Sequence, residues 1–314
     1  MTITPARARG LVDSSTGDLV VITQQRVSWH RRGATMMDIT PGFDWTCVAV
    51  GGGAVAMAGA DSVVWTGPDG SSQQGAAPGS GQYRLAVAGR LVVGATREGL
   101  VNLWESLEAD PLSMDFADFA DFADFADFAD FADIAFEPEE VAIDGRRRLV
   151  TVWGWQDQRA TLAAFDWRPE VLLPVLPSGG WPAPASGVVL GLTGGVLGIG
   201  GTDALTLVST GGDVLGRVEL PGLERVVGSA EGVGWVRSSA TDDVVLVGWG
   251  IVTGLGDGRA VDLVAEQPMP GSDPFPELAV SGGALVVAEG VDAHRLLVHR
   301  LTSRGWLDPE AVGP

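Results

Sequence analysis

Short apolar runs separated by Gly-rich or polar turns recur along almost the whole chain. A first run leads into a tight turn, a second run follows, and after another turn comes a third run that often contains Trp. The clearest copy starts with Leu85–Gly94 and continues to Trp104, and a similar copy occupies 278–298. Runs this short, bounded by Gly and polar residues, predict β-strands, and helical periodicity is almost absent outside one segment.

The copies define a repeat. The first runs of successive copies end near Val12, Val50, Val87, Ile143, Leu192, Ser229 and Val280. Their mean spacing is about 45 residues, the period of four-stranded β-propeller blades. We therefore predict an all-β fold in which residues 1–314 form a single β-propeller domain, with about seven blades of mostly four antiparallel strands. Six or eight blades also fit the irregular spacing, and a pair of β-sandwiches is the main rival fold.

A ring arrangement would solve a burial problem that each copy has alone. A small meander with apolar runs on every strand cannot bury both of its faces, whereas radial stacking covers both and leaves only short edges exposed. A recurrent Trp in the third run then fills the wedge between neighbouring blades. The residues concerned are Trp29, Trp65, Trp104, Trp167 and Trp249. A ring of Trp that stacks on a ligand is the alternative interpretation.

With this pattern the chain resembles the β-propeller superfamily, in a divergent bacterial form. The resemblance spans nearly the whole chain but is architectural. The Gly-His and Trp-Asp pairs of WD40 repeats do not recur, and Asp166-Trp167 has the reverse order. Gly200-Gly201 and Gly282-Gly283 match only part of the kelch pattern, so no subfamily's binding residues carry over. The resemblance implies a component of a multi-protein assembly, including conflict or defence systems built around an NTPase or a protease.

The most unusual segment is a tandem repeat of Asp-Phe-Ala within residues 115–136. The unit occurs six times from Asp115 to Ala132, and we expect the segment to be a low-complexity insertion between blades three and four. A period of three aligns Phe along one side only in a three-per-turn conformation, since on an α-helix the rings spiral around the axis and on a strand they alternate.

Three interpretations of this segment remain open. It is a neutral expansion of a nine-nucleotide unit, an acidic-aromatic segment that binds a partner groove with a basic rim, or a calcium-binding tract. Bulky Phe and the absence of Gly oppose the calcium interpretation. The candidate partner-binding residues are Phe116, Phe119, Phe122, Phe125, Phe128, Phe131, Asp118, Asp121, Asp124 and Asp127.

Charge narrows the class of partner. The formal net charge is −20, with 40 acidic residues, and all 20 basic residues are Arg. We expect such a surface to repel nucleic acid and anionic membranes and to attract a protein with a basic surface. The absence of Lys fits a GC-rich genome, or escape from a Lys-directed modification. Met1–Arg7 lacks the apolar stretch of a signal peptide and no run approaches a membrane span, so we expect a cytoplasmic protein.

The inventory of catalytic residues is thin. Cys47 is the single Cys and is expected to be a buried strand thiol, while His30, His294 and His299 are expected at the surface or at blade edges. No metal-binding His pair, nucleophile elbow or phosphate-binding loop is present, and Gly194–Gly201 is expected to form a turn and a strand. We predict no catalytic residue, no metal and no cofactor.

These observations favour a non-catalytic protein-binding scaffold, adaptor or sensor. The loops of a rigid ring would then carry recognition. Two alternatives remain. One is a hydrolase or lyase that uses acidic residues at the mouth of the propeller, which predicts convergent carboxylates and a raised pKa. The other is a structural subunit of a larger particle, with the Phe-containing segment packed against a neighbour.

Overall fold

Seven β-sheets surround one axis and form a seven-bladed β-propeller. The computed structural model describes residues 9–23, 26–31, 34–39, 45–79, 84–96, 99–115, 136–156, 158–177, 180–239, 244–253, 261–271, 276–291 and 295–312. Each sheet is a meander whose strands pair antiparallel with their neighbours in chain order. The predicted all-β fold with seven four-stranded blades is confirmed.

Each blade is built from one continuous stretch of chain. Blades one to three contain β1 (Arg9–Val12), β2 (Leu19–Ile22), β3 (Val27–Arg31), β4 (Ala34–Ile39), β5 (Trp45–Gly51), β6 (Ala54–Gly59), β7 (Ser62–Thr66), β8 (Ser72–Ala76), β9 (Arg84–Ala88), β10 (Leu91–Ala95), β11 (Leu100–Trp104) and β12 (Leu112–Asp115). Blades four and five contain β13 (Phe136–Asp144), β14 (Leu149–Gln156), β15 (Arg159–Arg168), β16 (Val171–Pro174), β17 (Gly187–Leu192), β18 (Val196–Gly200), β19 (Ala204–Ser209) and β20 (Val214–Glu219). Blades six and seven contain β21 (Leu223–Ser229), β22 (Gly232–Ser238), β23 (Val245–Val252), β24 (Val261–Pro268), β25 (Glu277–Ser281), β26 (Ala284–Gly290), β27 (Leu296–Thr302), β28 (Gly305–Trp306) and β29 (Glu310–Val312).

The fourth position of blade seven is divided between two short strands. β28 pairs with the end of β27, and β29 pairs with its beginning, on the edge that β26 leaves open. A 3₁₀ turn, Thr193–Gly195, precedes β18, which confirms the predicted turn and strand in this Gly-rich stretch. No helix in the described part of the chain is long and apolar enough to cross a membrane.

Strand alternation gives the ring two different faces. The turns from first to second and from third to fourth strand lie on one face, which we call the turn face. The turns from second to third strand, and the connections from each fourth strand to the next blade, lie on the other face, which we call the connection face. The first strands are innermost, and those of neighbouring blades contact one another around the ring.

The core is divided into seven apolar clusters, one at each interface between neighbouring blades. The cluster between blades three and four is an example: Val93 and Leu103 of blade three pack with Val150 and Phe165 of blade four, and each is fully buried. This arrangement confirms that the sheets bury their faces against one another, and it explains why strands of the ring interior are apolar on both sides.

The five Trp residues predicted at one blade position all lie in a third strand and are all buried. They contribute to the clusters between blades, as wedge-filling requires. Polar contacts fix two of the indoles: Trp29 Nε1 donates to Asp18 Oδ2 at 3.0 Å, and Trp65 Nε1 donates to the Gly89 carbonyl of the next blade at 2.7 Å. Their burial favours the structural interpretation over ligand stacking.

Within the described residues, no strand of blade one pairs with a strand of blade seven where the ring closes. The first strand of blade one, β1, lies against β25 and β26 of blade seven. Leu19 and Val21 of blade one pack there with Val286, Leu296 and Val298 of blade seven. Side-chain packing therefore holds this seam, in contrast to the hydrogen-bonded ladders within each blade.

The expected positions of two His residues are wrong. His30 and His299 are both buried, because each lies on a third strand that is covered by the neighbouring blade. His30 Nε2 lies 3.0 Å from Ser28 Oγ, and the ring of His299 packs edge-on against Trp306, with 6.1 Å between centroids. His294 lies outside the described residues. Cys47 is on a strand, as expected, but is half-buried.

Candidate functional site

Charged side chains gather on the connection face where the innermost strands begin. Arg225 on β21 forms an ion pair with Glu277 on β25, with 2.9 Å between Nη2 and Oε2, and its Nη1 donates to the Pro276 carbonyl at 3.1 Å. Arg84 on β9 lies 3.6 Å from Glu139 of blade four. These contacts join neighbouring blades, so the mouth of the ring on this face is polar although the strands that form it are mostly apolar.

Glu140 is a carboxyl group of this mouth that two hydrogen bonds hold in place. Its Oε2 accepts hydrogen bonds from Trp153 Nε1 at 2.8 Å and from the Val188 backbone N–H at 3.2 Å. Burial raises the pKa of Glu140, and the neighbouring charge of Glu277 acts in the same direction, whereas the two hydrogen bonds and Arg225 oppose the rise. The group therefore favours its neutral form more than a solvated glutamate does.

An exposed aromatic residue stands beside this carboxyl group. Trp153 and Trp155 are two residues apart on β14, so both rings lie on the same side of the strand. Their centroids are 6.4 Å apart with an interplanar angle of 66°. Trp153 is buried, but Trp155 is 38% exposed. The indole of Trp153 thus supports an aromatic ring that is available at the surface.

The sequence of blade four explains how this ring is presented. β14 and β15 are longer than the corresponding strands of most blades, so their hairpin extends on the connection face. At Gly154 a Cβ atom would lie 2.1 Å from the Glu137 carbonyl oxygen, so the close approach of β13 and β14 requires Gly. A bulge follows between Pro138 and Glu140. The bulge turns the strand at the point where Glu139 is exposed.

An acidic residue lies opposite the exposed ring, and a second one, Glu139, lies in the bulge with its Oε2 3.6 Å from Arg84 Nη2 of blade three. Glu137 lies directly opposite Trp155 in the ladder between β13 and β14, and both Glu137 and Glu139 are exposed. We call Glu137, Glu139, Trp153 and Trp155 the blade-four rim. It combines an aromatic surface with negative charge, the chemistry that suits a partner with a basic surface.

The partner-binding residues predicted in the Asp-Phe-Ala tract, Phe116 to Phe131 and Asp118 to Asp127, lie outside the described residues. The described ends of the tract are Asp115, the last residue of β12, and Phe136, the first residue of β13. Phe136 is buried in the interface between blades three and four. Both ends lie on the connection face, so the chain enters blade four beside the rim.

Sequence reasoning missed Trp153 and Trp155, although the signal was present. A Trp-Gly-Trp motif on a strand places both rings on one face. The acidic stretch that follows the Asp-Phe-Ala tract then pairs with that strand. Only the register of β13 against β14 brings Glu137 opposite Trp155, and sequence alone does not give this register.

The described residues contain no convergent set of catalytic groups. Ser28 and His30 lie within hydrogen-bonding distance, but both are buried and no substrate could reach them. At the mouth, the charge of Glu277 acts on Glu140, whose pKa is raised, and this matches part of what the enzyme interpretation predicts. However, Glu277 is ion-paired with Arg225, and Glu140 Oε2 accepts from Trp153 and Val188. In the same part of the chain, no three His, Cys, Asp or Glu side chains are placed to hold a metal ion.

Comparison with known proteins agrees with the fold. No protein-family model and no curated protein matches the chain. Among solved structures, the WD40 domain of SCAP from fission yeast is similar, with a TM-score of 0.60, 7% identity, and 99% of this chain and 88% of that chain covered. A chain from the complex of KlAtg21 with the coiled coil of AgAtg16 has a TM-score of 0.63 and 7% identity, covering 99% and 100%. A chain from the mitotic checkpoint complex has a TM-score of 0.58 and 11% identity, covering 100% and 96%. At these identities the likeness shows the seven-bladed propeller architecture alone.

Proposed function

We propose that this chain is a non-catalytic scaffold, adaptor or sensor that binds a protein partner with a basic surface through its connection face. The observation that carries the proposal is the exposed ring of Trp155, which lies opposite the exposed residue Glu137 in the ladder between β13 and β14. We propose that the Asp-Phe-Ala residues of 115–136, which have the same acidic-aromatic composition, contribute to the same binding.

The physical basis is that of an interface anchor. A Trp ring offers a large apolar area with few rotatable bonds, and Trp is enriched among residues that dominate binding energy. Because Trp153 packs against Trp155, little side-chain freedom remains to be lost when a partner covers the ring. The exposed carboxylate of Glu137 and the net negative charge of the chain would steer a basic partner towards the ring.

The structural neighbours support a binding role. One is a WD40 domain, one was solved in a complex with a coiled coil, and one is part of a checkpoint complex. In line with the resemblance stated above, we place this chain in the cytoplasm as part of a bacterial multi-protein assembly, such as a conflict or defence system. The alternative of a hydrolase or lyase is supported by the raised pKa of Glu140 near the charge of Glu277. It is opposed by the ion pair of Glu277 with Arg225 and by the hydrogen bond that Glu140 accepts from Trp153.

Capture of partners from the native host tests the proposal. The wild-type chain is compared with Trp155→Ala and with a variant in which residues 116–132 are replaced by a Gly-Ser linker of equal length, which retains the buried Phe136. The matched control is Val214→Ala, an apolar residue that is 63% exposed at the turn-face end of β20.

We expect one protein, or a small set, to bind the wild type and the Val214 variant and to be lost with Trp155→Ala. Removal of a buried Trp anchor typically costs 2 kcal/mol or more, which is about a 30-fold loss of affinity. Equal capture by all variants, or no capture at low salt, would exclude this binding face.

A further inference from the structure

The turn face carries a cluster of arginines that the acidic character of the chain does not lead one to expect. Arg90 lies in the turn between β9 and β10, and Arg146, Arg147 and Arg148 lie in the turn between β13 and β14. All four are exposed, in a chain whose net charge is −20. We call these four residues the arginine patch.

The two turns adjoin at the mouth of the ring. A Cβ atom on Gly145 would lie 3.1 Å from Leu91 Cδ1 and 3.6 Å from Ala88 Cβ, so the turn of blade four rests on the strands that flank Arg90. On the side of blade five, a Cβ atom on Gly195 would lie 3.0 Å from Arg147 Nε. The patch thus spans the adjoining turns of blades three and four and reaches Gly195 at the edge of blade five.

One buried carboxylate fixes the turn that carries three of the arginines. Asp144 Oδ1 accepts the backbone N–H groups of Arg146 at 3.0 Å and Arg147 at 3.3 Å, and its Oδ2 accepts Arg147 Nη1 at 2.6 Å. Arg148 has a φ of 54°, an unfavourable value for a residue with a Cβ. The hydrogen bonds of Asp144 therefore hold the backbone of this turn in one conformation.

The remaining guanidinium groups of the patch have no carboxylate within ion-pair distance among the described residues. Several arginines outside the patch pair with an acidic residue, as Arg31 does with Asp18, Arg225 with Glu277 and Arg237 with Glu266. Arg159, Arg300 and Arg304 have no such pair among the described residues either, but they are not gathered on adjoining turns. In the patch only Arg147 has such a pair. The charge of Arg90 acts on Asp69, but among the described residues no hydrogen bond joins these two side chains. Arg90, Arg146 and Arg148 thus keep their donors available although acidic residues outnumber basic ones two to one.

We propose that the arginine patch is a second docking surface, which binds an acidic peptide segment of another protein. Guanidinium groups on fixed turns bind carboxylates through paired, charge-assisted hydrogen bonds. A nucleic acid is a poor occupant, because a long phosphate polymer would extend beyond the patch over a surface of net negative charge. An acidic segment of a few residues meets only the local positive potential. With the connection face assigned to a basic partner, the ring would bridge two proteins of opposite charge.

Fluorescence anisotropy of the full chain with a labelled peptide of alternating Glu and Ala, at low salt, tests this surface directly. The test variant is Arg146→Glu/Arg148→Glu, which leaves the Asp144–Arg147 pair in place. The control is Arg217→Glu/Arg304→Glu, which changes the net charge equally at exposed positions outside the patch. Arg90→Glu tests whether blade three belongs to the same surface.

We expect the test variant to weaken peptide binding about tenfold or more, Arg90→Glu to weaken it severalfold, and the control to change it less than about threefold. An equal loss in the control variant would show that only overall charge acts, and absence of binding by the wild type would overturn the proposal. Tighter binding of a single-stranded oligonucleotide than of the peptide, lost in the same variant, would assign the patch to phosphates instead. None of these outcomes depends on Trp155, so the two proposals fail separately.

Discussion

At the junction of blades two and three, two turns approach so closely that their backbones touch. Gly52 has a φ of +62°, and a Cβ atom on it would lie 2.2 Å from the backbone nitrogen of Gly89. The backbone N–H of Gly89 in turn donates to the Gly51 carbonyl at 3.2 Å. Gly at 52 is therefore required both by the backbone conformation and by the space available.

The effect of the positive φ and the effect of the limited space at position 52 can be measured separately by comparing Gly52→Ala with Gly282→Ala. Gly282 occupies the same position of the corresponding turn in blade seven, with a φ of +61°, but nothing lies within 4 Å of its Cβ position. We expect Gly282→Ala to cost about 1 kcal/mol of unfolding free energy from backbone strain, and Gly52→Ala to cost at least about 2 kcal/mol more. Urea unfolding measures both, and equal losses would contradict the close approach.

Glu140 gives a prediction about pH. Because the folded protein raises the pKa of Glu140 above its ordinary value of 4.5, the folded state binds this proton more tightly than the unfolded state. Its contribution to stability is greatest below the unfolded pKa and falls as the pH rises through the folded pKa. Glu140→Gln removes that loss and retains an oxygen that accepts from Trp153 and Val188.

We expect Glu140→Gln to gain stability relative to wild type as the pH is raised from 4.5 towards neutrality, measured by urea unfolding over this range. Glu266→Gln is the control of opposite sign. Arg237 lowers the pKa of Glu266, chiefly through a hydrogen bond, so this variant should lose about 1 kcal/mol near neutral pH and recover as the pH falls through the folded pKa. Parallel pH profiles for Glu140→Gln and wild type would show that the carboxyl group is solvated.

At the scale of single elements, Trp residues on neighbouring strands of blade four have different roles. Trp167 on the third strand is buried between blades three and four, whereas Trp155 on the second strand is exposed. We expect Trp167→Ala to cost about 3–5 kcal/mol of unfolding free energy and Trp155→Ala less than about 1 kcal/mol. Thermal unfolding distinguishes them. A large stability loss in the Trp155 variant would mean that its effect on binding cannot be assigned to the interface.

Sequence patterns predicted the inner elements well because burial on two sides demands apolar residues. All seven predicted ends, from Val12 to Val280, lie in the first strand of a blade. The positions of the third-strand Trp residues were predicted for the same reason, because the space between neighbouring blades must be filled. Outer strands were harder: β8 (Ser72–Ala76) alternates between exposed and half-buried positions and carries little apolar signal. The burial of His30 and His299 was missed because a polar residue on a covered strand looks, in sequence, like one on an exposed strand.

The candidate site could be predicted only in part. An acidic-aromatic character was evident from 115–140, but the anchor Trp155 depends on the register of β13 and β14 and on the bulge before Glu140. The arginine patch depends on the meeting of turns 55 residues or so apart in the chain, which the repeat period predicts in principle but which requires the ring to be closed. The strands of each blade are neighbours in the sequence and can be predicted from it, whereas these sites depend on strand register and on contacts between blades.

At the scale of the whole molecule, the seam between blades seven and one determines whether the ring stays closed. Leu296 is fully buried there, and a Cβ on Gly10 would lie 2.6 Å from its Cδ1. We expect Leu296→Ala to cost about 2–5 kcal/mol. Hydrogen exchange should also accelerate in β1, β25 and β26 before it does in blades three and four. Uniform acceleration around the ring would indicate that the seam is no weaker than the other interfaces.

Our proposal assigns recognition of a protein partner to the connection face of the ring. Hydrogen–deuterium exchange of the complex with the captured partner, compared with the free chain, tests it most directly. We expect protection of residues 136–140 and 153–156 on the connection face, together with the Asp-Phe-Ala segment, while the Gly282-Gly283 turn on the opposite face exchanges unchanged. Protection confined to the turn face or to the outer strands, with 153–156 unaffected, would contradict it.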